Sequence, residues 1–219
     1  TVCYSNLNVK LAGMHVGITV GADGPTHQML EDIALMRVLP NMIILNPCDV
    51  NEAYNATIQA YKHKGPVYIR FVREATPVLT SREDEFIIGK AKILRKGKDI
   101  TVVSSGQILS KVIEVVQSLE KEGLDIELIN IHTIKPLDSK TLADSVRKTG
   151  KLLVIDEHQI HGGLATAVFE ALMLSGVNAK ADVVAVMDTF LTSGNPDELM
   201  EKYGFSTGSI IKKIKSFFQ

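Results

Sequence analysis

The sequence predicts an α/β protein made of two mostly parallel-sheet α/β units, the first of them incomplete. Three observations predict this. Short apolar runs such as "MIIL" and "LLVI" alternate with longer amphipathic stretches, the order that gives parallel strands joined by right-handed helical crossovers. The alternation lapses into "EATPVLTSREDE" between Glu74 and Glu85, which is polar, carries a proline and has no period. It then begins again and runs to the end of the chain.

In the first unit, Val9 to His15 ("VKLAGMH") reads as a strand leading into a glycine-rich loop. A helix is expected from about Gln28, with Leu30, Ile33, Ala34 and Val38 on one face, ended by Pro40 and Asn41. "MIILNP" is a buried strand. Asp49, three residues before Glu52, forms a capping-box pattern that opens a helix reaching about Lys62. "PVYIRF" is a third strand. Three strands and two helices make a small open sheet whose edges want partners. Since the sequence opens almost directly on a strand, earlier strands are expected to be missing or supplied elsewhere.

In the second unit, "GKAKILRKGKDITVVSSG" reads as a hairpin turning at Lys96-Gly97-Lys98. A helix follows with Ile108, Leu109, Val112, Ile113, Val116 and Leu119 on one side. "DIELINI" is a strand, and "DSKTLADSVRKTG" a helix capped by Asp138 and closed by Gly150. "KLLVIDEH" is a strand, "GGLATAVFEALML" a helix and "ADVVAVMD" the last strand. Asn195 as N-cap, Pro196 at N1 and Glu198 at N3 start another helix. The tail "SIIKKIKSFF" is a basic amphipathic helix, read as a solvated face over a packed stripe. The expected boundaries are residues 1–78 for the first unit, 79–88 for a linker and 89–219 for the second.

Composition excludes several classes. The 219 residues are 45% hydrophobic and carry a net charge of -1, which argues for a real core and against nucleic acid or an anionic membrane as main partner. No apolar run is long enough to span a bilayer. Cys3 and Cys48 show no metal or disulfide spacing, which points to a reducing, cytoplasmic setting.

The chemistry concentrates in "MHVGITVGADGPTHQMLED", Met14 to Asp32. A phosphate cradle would need a Gly-Lys-Ser/Thr ending or G-x-G-x-x-G, and neither is present. His15, Asp23 and His27 could converge on a metal, although their spacing is not diagnostic. An ordinary loop is the third reading, and a polar substrate pocket the fourth. Position favours the last. Ligands of open α/β sheets bind beyond the carboxyl ends of strands. His15 closes one strand, His27 opens the next helix, and Arg73 ends another strand of the same unit, just past Arg70. Two imidazoles, a carboxylate and a guanidinium on one edge suit a polar anionic substrate. A second cluster, Asp156, Glu157, His158 and His161, reads as a strand end packed at a domain interface, with metal binding as the alternative. His63 and His132 read as ordinary surface or interface residues.

The stretch "GITVGADGPTHQMLEDIALMRVLPNMIILNPCDVNEA" resembles the pyrimidine-binding domain of transketolase, whose usual loop reads Gly-Glu-Asp-Gly-Pro-Thr-His-Gln. "GPVYIRFVRE" resembles the strand ending in that family's phosphate-binding arginine. "INIHTIKPLD", "VIDEHQIHGGLATAVFEAL" and "SGNPDELMEKYG" resemble successive landmarks of its C-terminal domain. The loop also resembles deoxyxylulose-phosphate synthase and the β subunits of 2-oxoacid dehydrogenases, while "GPTHQ" with the "SGNPDELMEKYG" ending favours transketolase.

The resemblance implies a partial thiamine-diphosphate pyrimidine domain followed by a transketolase C-terminal-like domain, as in split transketolases. It implies transfer of a two-carbon ketol unit between sugar phosphates, as in the pentose phosphate pathway, with thiamine diphosphate as electron sink. His15 then matches a histidine near the donor's reacting hydroxyls, suited to proton transfer or oxyanion stabilisation. Asp23 matches the residue holding a donor hydroxyl. His27 matches one contacting the donor's terminal hydroxyl and the cofactor environment, and Arg73 the grip on the sugar phosphate. Arg70 is a weaker candidate, expected to pair structurally. Ala22 stands where the family commonly has glutamate.

The family also needs a glutamate on the cofactor's aminopyrimidine, in a pattern like Gly-Val-Ala-Glu-Gln-Asn-Met, and a Gly-Asp-Gly site for Mg²⁺ and diphosphate. Neither pattern occurs in these residues. The implied partner is a diphosphate-binding N-terminal subunit or domain, in a homodimer or heterotetramer. The implied metal is Mg²⁺, with no ligand from this chain. Two rivals stay open: another thiamine-diphosphate enzyme, and a non-catalytic interaction module.

Overall fold

The computed structural model describes all 219 residues. The first unit comprises β1 (Lys10–Gly13), α1 (Asp32–Arg37), β2 (Ile43–Leu45), α2 (Val50–Lys62) and β3 (Val67–Arg70). The second comprises β4 (Lys92–Arg95), β5 (Ile100–Ser104), α3 (Leu109–Lys121), β6 (Ile126–Asn130), β7 (Thr133–Lys135), α4 (Ser139–Thr149), β8 (Lys151–Gln159), α5 (Leu164–Leu174), β9 (Lys180–Val186), α6 (Pro196–Lys202) and α7 (Thr207–Lys215). They build two mostly parallel sheets, of order β1-β3-β2-β7 and β4-β6-β5-β8-β9.

Local signals placed many of these elements. Asp49 Oδ1 accepts from the Glu52 amide at 2.8 Å, and the Glu52 carboxylate accepts from the Cys48 amide, closing the start of α2. Asp138 caps α4, and Gly150 ends it in the left-handed conformation. Asn195 caps α6, with Pro196 in the first turn. On α7, Ile210 and Ile214 are buried, while Lys213 and Lys215 pair with Asp182 and Glu122. This is the packed stripe and solvated face expected. Cys3 and Cys48 are free and buried, and no helix is long and apolar enough to cross a membrane.

Three expectations need correction. The run Lys90–Gly106 is not a hairpin: β6 lies between β4 and β5, antiparallel to the first and parallel to the second. The Lys96–Lys98 turn folds over the start of β6, where the Lys98 and Asp99 amides both donate to Asp125 O at 2.9 Å. The first helix begins at Asp32, not Gln28, and Val38 is 77% exposed. Residues before it are extended: Met29 bridges Val16 in parallel, and Leu30 O accepts from the Gln159 amide at 2.8 Å. Backbone groups so engaged are lost to a helical turn. His132 is not a surface residue. It is 3% exposed and stacks on Phe86 with ring centroids 4.0 Å apart.

The two units share a core. One buried cluster joins Ile33, Met42, Ile44 and Tyr68 of the first unit to Val103, Ile129, Leu152 and Leu164 of the second. The free edge of β2 is taken by β7, an antiparallel strand from the second unit. Polar groups cross the junction as well: Asn46 Nδ2 donates to Ser105 Oγ at 2.8 Å, and Asn130 Nδ2 to Glu52 Oε1 at 2.9 Å. The segment Phe71–Ala91 carries no helix or strand but is pinned, with the Leu79 and Thr80 amides donating to Asp49 Oδ2 at 2.6 Å.

Burial, with Lys92 nearby, pushes the His132 imidazole down to about 4. The unfolded chain, at the ordinary value near 6.5, therefore binds more protons than the native state between those limits. Stability contributed by neutral His132 is present above about pH 6.5 and is lost as pH falls toward 4. Its full size is about 3 kcal/mol by the usual ~1.4 kcal/mol per pH unit. His132→Phe is expected to flatten the rise of unfolding free energy between pH 4 and 6.5 in urea titrations. An unchanged slope would contradict it.

Candidate functional site

The site is built where β1 and β3 end side by side. These strands pair in parallel with Gly13 opposite Arg70, so both chains leave the sheet at its carboxyl edge. The exits are stitched together: Phe71 N donates to Gly13 O at 2.7 Å, Val16 N to Phe71 O at 3.3 Å, and Met29 N to His15 O at 3.3 Å. His15 sits between these bonds at φ 62°, a left-handed conformation uncommon for a residue with a side chain. Its ring is exposed and makes no hydrogen bond within the chain.

The loop then turns through Ile18–Asp23, with a kink at Gly21, and closes when the His27 and Gln28 amides donate to Gly24 O at 3.0 and 3.1 Å. This brings Asp23 to Arg73, which it ion-pairs, each about two-fifths exposed. Glu74 lies 3.9 Å from Arg73 Nε. At that exposure the pair adds little stability, and its consequence is geometric. Two placements expected from sequence need correction: Arg73 does not end the strand but lies three residues past the end of β3, in the loop, and His27 does not open a helix, since α1 begins at Asp32. His27 is exposed, its Nδ1 sharing a 3.0 Å hydrogen bond with Thr26 Oγ1. The structure thus puts Asp23 and Arg73 in contact, and sets His15 and His27 on the same loop at the same sheet edge. Ala22 is exposed beside Asp23.

Two of the alternative readings of the loop gain no support. The glycine run does not enter a helix, since α1 begins only at Asp32. No group of three or more His, Cys, Asp or Glu side chains is arranged to hold a metal ion, in the loop or around Asp156–His161.

Beneath the loop lies a buried polar network. Arg70 Nε and Nη2 donate to the two oxygens of Asp32 at 2.7 and 3.0 Å, and Tyr68 Oη donates to Oδ2 at 2.7 Å. Arg70 is therefore a structural pair, as expected. Burial acts to raise the Asp32 carboxyl, but Arg70 beside it outweighs that and holds it below the usual carboxylate range. Tyr68 crosses β1 directly over Gly13, where any Cβ would strike its phenol. His158, also buried, accepts from Ala34 N at Nε2 (3.4 Å) and donates from Nδ1 to Gln159 O at 2.7 Å. Asp156 Oδ2 accepts from the Leu164 amide at the start of α5, 2.6 Å away. Burial raises the carboxyls of both Asp156 and Glu157. The second histidine cluster is thus structural in its contacts.

The larger cavities do not open on the four candidate side chains. One of about 420 Å³ lies at the exits of β2 and β3 between Pro47, Asp49, Arg70 and Thr76. The candidate residues instead form an open, exposed polar face. Sequence reasoning did not find the residues that back this face from the second unit, Gln107 and the Thr192–Pro196 loop. Gln107 has no motif around it. The only signal for its partner Glu157 was a run of three ionisable residues closing an apolar strand.

Comparison with known proteins places this arrangement. A family model described as the transketolase pyrimidine-binding domain matches residues 1–78, and one described as the transketolase C-terminal domain matches residues 89–210. A provisionally named transketolase C-terminal section of Methanocaldococcus jannaschii is 39% identical over 215 residues, covering 97% of this chain and 67% of that protein. A 1-deoxy-D-xylulose-5-phosphate synthase of Geobacter metallireducens is 34% identical, covering 100% of this chain and 35% of its own length. A solved structure described as a split gene transketolase, an inactive beta4 tetramer, superposes with a TM-score of 0.90 at 36% identity, covering 98% of this chain and 68% of that one. Fold and loop together define the pyrimidine-binding and C-terminal portion of a thiamine-dependent enzyme family. The chain belongs to the transketolase family. It spans about two-thirds of its split-type relatives and about a third of the synthase.

Proposed function

We propose that this chain is part of a transketolase, supplying substrate-binding residues to a site that other segments complete. The observation that carries the reading is the exposed face itself: His15, Asp23, His27 and Arg73 stand at one carboxyl sheet edge, with Asp23 and Arg73 in contact. They do so on a loop that resembles the family's substrate loop. Arg73 grips the sugar phosphate, since a guanidinium binds phosphate bidentately and its Nη2 has no protein partner here. Asp23 orients that guanidinium and accepts from a donor hydroxyl. His15 moves the proton at the donor's reacting hydroxyl. His27, its Nδ1 occupied by Thr26, presents Nε2 to the donor's terminal hydroxyl and the cofactor's edge.

Thiamine diphosphate, when bound, supplies the electron sink for cleavage of the C2–C3 bond. The chain's donor set fits one side of that cofactor only. In this reading metal and diphosphate are held by the diphosphate-binding partner, in a dimer or heterotetramer.

In the enzyme assembled from this chain and its complementing polypeptides, Arg73→Ala is expected to raise KM for phosphorylated donors by about 10- to 100-fold, the loss of a charge-assisted hydrogen-bonded pair. Unphosphorylated analogues should be little affected. Equal effects on both would place phosphate recognition elsewhere. A deoxyxylulose-phosphate synthase is the second reading, favoured by the similarity to that enzyme over the whole chain. Activity with pyruvate in place of a ketose phosphate would decide for it.

A further inference from the structure

Glu157 lies near the end of β8 in the second unit, yet its side chain also bonds to the first. Its Oε1 accepts from the Ile18 amide at 2.6 Å, inside the candidate substrate loop. Gln107 Nε2 donates to both Glu157 oxygens at 2.9 Å, while Gln107 Oε1 accepts from Thr19 Oγ1 at 3.1 Å. The two side chains therefore grip consecutive loop residues. The loop approaches so closely at Gly17 (φ 91°) that a Cβ there would run into Glu157 Oε1 and Gln107 Nε2. At its far end the loop rests on the same unit: Gly21 faces Pro196, Gly24 faces Ser193, and Gln28 Nε2 donates to Thr192 O at 3.4 Å. Glu157 is buried and Gln107 half-buried, whereas His15, Asp23 and His27 are exposed.

We propose that Glu157 and Gln107 are a positioning pair, through which the C-terminal domain sets the conformation of the substrate loop. This gives that domain a part in catalysis without contact to substrate, and it rests on the functional reading above. The chemistry requires an acceptor-only group at position 157. A carboxylate meets the Ile18 N–H and the Gln107 NH₂ with lone pairs, that NH₂ also reaching Val16 O at 3.5 Å, and charge-assisted bonds are about twice as strong as neutral ones. In Glu157→Gln, one of those acceptors becomes an NH₂ facing the Gln107 NH₂. The amide of Gln107 must then flip, which turns its oxygen toward Val16 O and gives up the 3.5 Å bond to that carbonyl, while the Thr19 hydroxyl can bond either end. In Gln107→Glu, two carboxylates face each other. The double variant that exchanges the two side chains, Glu157→Gln with Gln107→Glu, restores complementarity between the pair and loses only the 3.5 Å bond to Val16 O. The relocated amide accepts from Ile18 N through its oxygen and donates through its NH₂ to the relocated carboxylate, which still accepts from Thr19.

The test is amide hydrogen exchange on the full chain for the wild type, both single variants and the swap. Glu157→Gln is expected to speed exchange at Ile18 and its loop neighbours about tenfold or more, with β5 and β8 unchanged. The swap should return these rates to within about threefold of wild type, the non-additivity of a directly coupled pair. In the assembled enzyme, kcat for ketol transfer should fall about tenfold in Glu157→Gln with phosphate-donor KM little changed, and should recover in the swap. Unchanged Ile18 exchange, faster exchange spread evenly over the chain, or a swap that does not rescue would each overturn the proposal. So would a loosened loop with full kcat. A wild-type assembly without ketol transfer would instead defeat the functional reading, while the exchange measurements still decide whether the pair holds the loop.

Discussion

Replacing His15 with alanine is expected to lower kcat for ketol transfer in the assembled enzyme by about 10²- to 10⁴-fold, the usual worth of a positioned general acid or base. The ring is exposed and bonds to nothing in the chain, so the loss should come without a matching fall in stability. The backbone needs separate control. His15 adopts φ 62°, where alanine is disfavoured by about 1–2 kcal/mol and asparagine is better tolerated. His15→Asn keeps that conformation and removes the proton-transfer group. Both variants should lose activity alike, with His15→Asn unfolding near the wild-type temperature and His15→Ala roughly 2–8 °C below it at most. If His15→Asn retains full kcat, His15 is a loop residue only.

The largest effect on stability is expected from Asp32→Ala. Asp32 and Arg70 are 5% and 3% exposed, and the pair is bidentate with Tyr68 as a third partner. Removing the carboxylate leaves a buried guanidinium uncompensated, which costs about 3–5 kcal/mol. In a domain of this size that corresponds to a fall in Tm of roughly 6–20 °C. The pH dependence has a definite sign. The folded carboxyl lies below its unfolded value, so the contribution is present above the ordinary carboxylate pKa and is lost as pH falls through the folded one. Scanning calorimetry of Asp32→Ala and Asp32→Asn tests this. A Tm change under about 2 °C in the alanine variant would show that the network does not anchor the sheet edge.

These two residues also mark what could be read from sequence. The loop bearing His15 was legible because its residue types are unusual together, and Asp49, Asp138 and Asn195 announced their helices through local capping chemistry. Arg70 was expected to pair, but its partner Asp32 was not nameable, since they are distant in sequence and only the β1–β3–β2 sheet and the start of α1 bring them together. The non-local features were equally silent. That β7 would join β2, or β6 insert between β4 and β5, depends on which free edge each strand finds. The late start of α1 came from backbone bonds to Val16 and Gln159, not from any breaker in "HQMLE". Gln107 could be recognised only once β8 and the loop were seen to meet.

The central claim is that this chain supplies one face of a ketol-transfer site and that other segments supply the rest. The most direct measurement is transfer from xylulose 5-phosphate to ribose 5-phosphate with thiamine diphosphate and Mg²⁺. The chain is assayed alone and together with polypeptides carrying the upstream pyrimidine segment and the diphosphate-binding domain. Product is expected only in the mixture, with the xylulose 5-phosphate KM raised about 10- to 100-fold on Arg73→Ala. Product from the chain alone, or none in any mixture with every component folded, would contradict it.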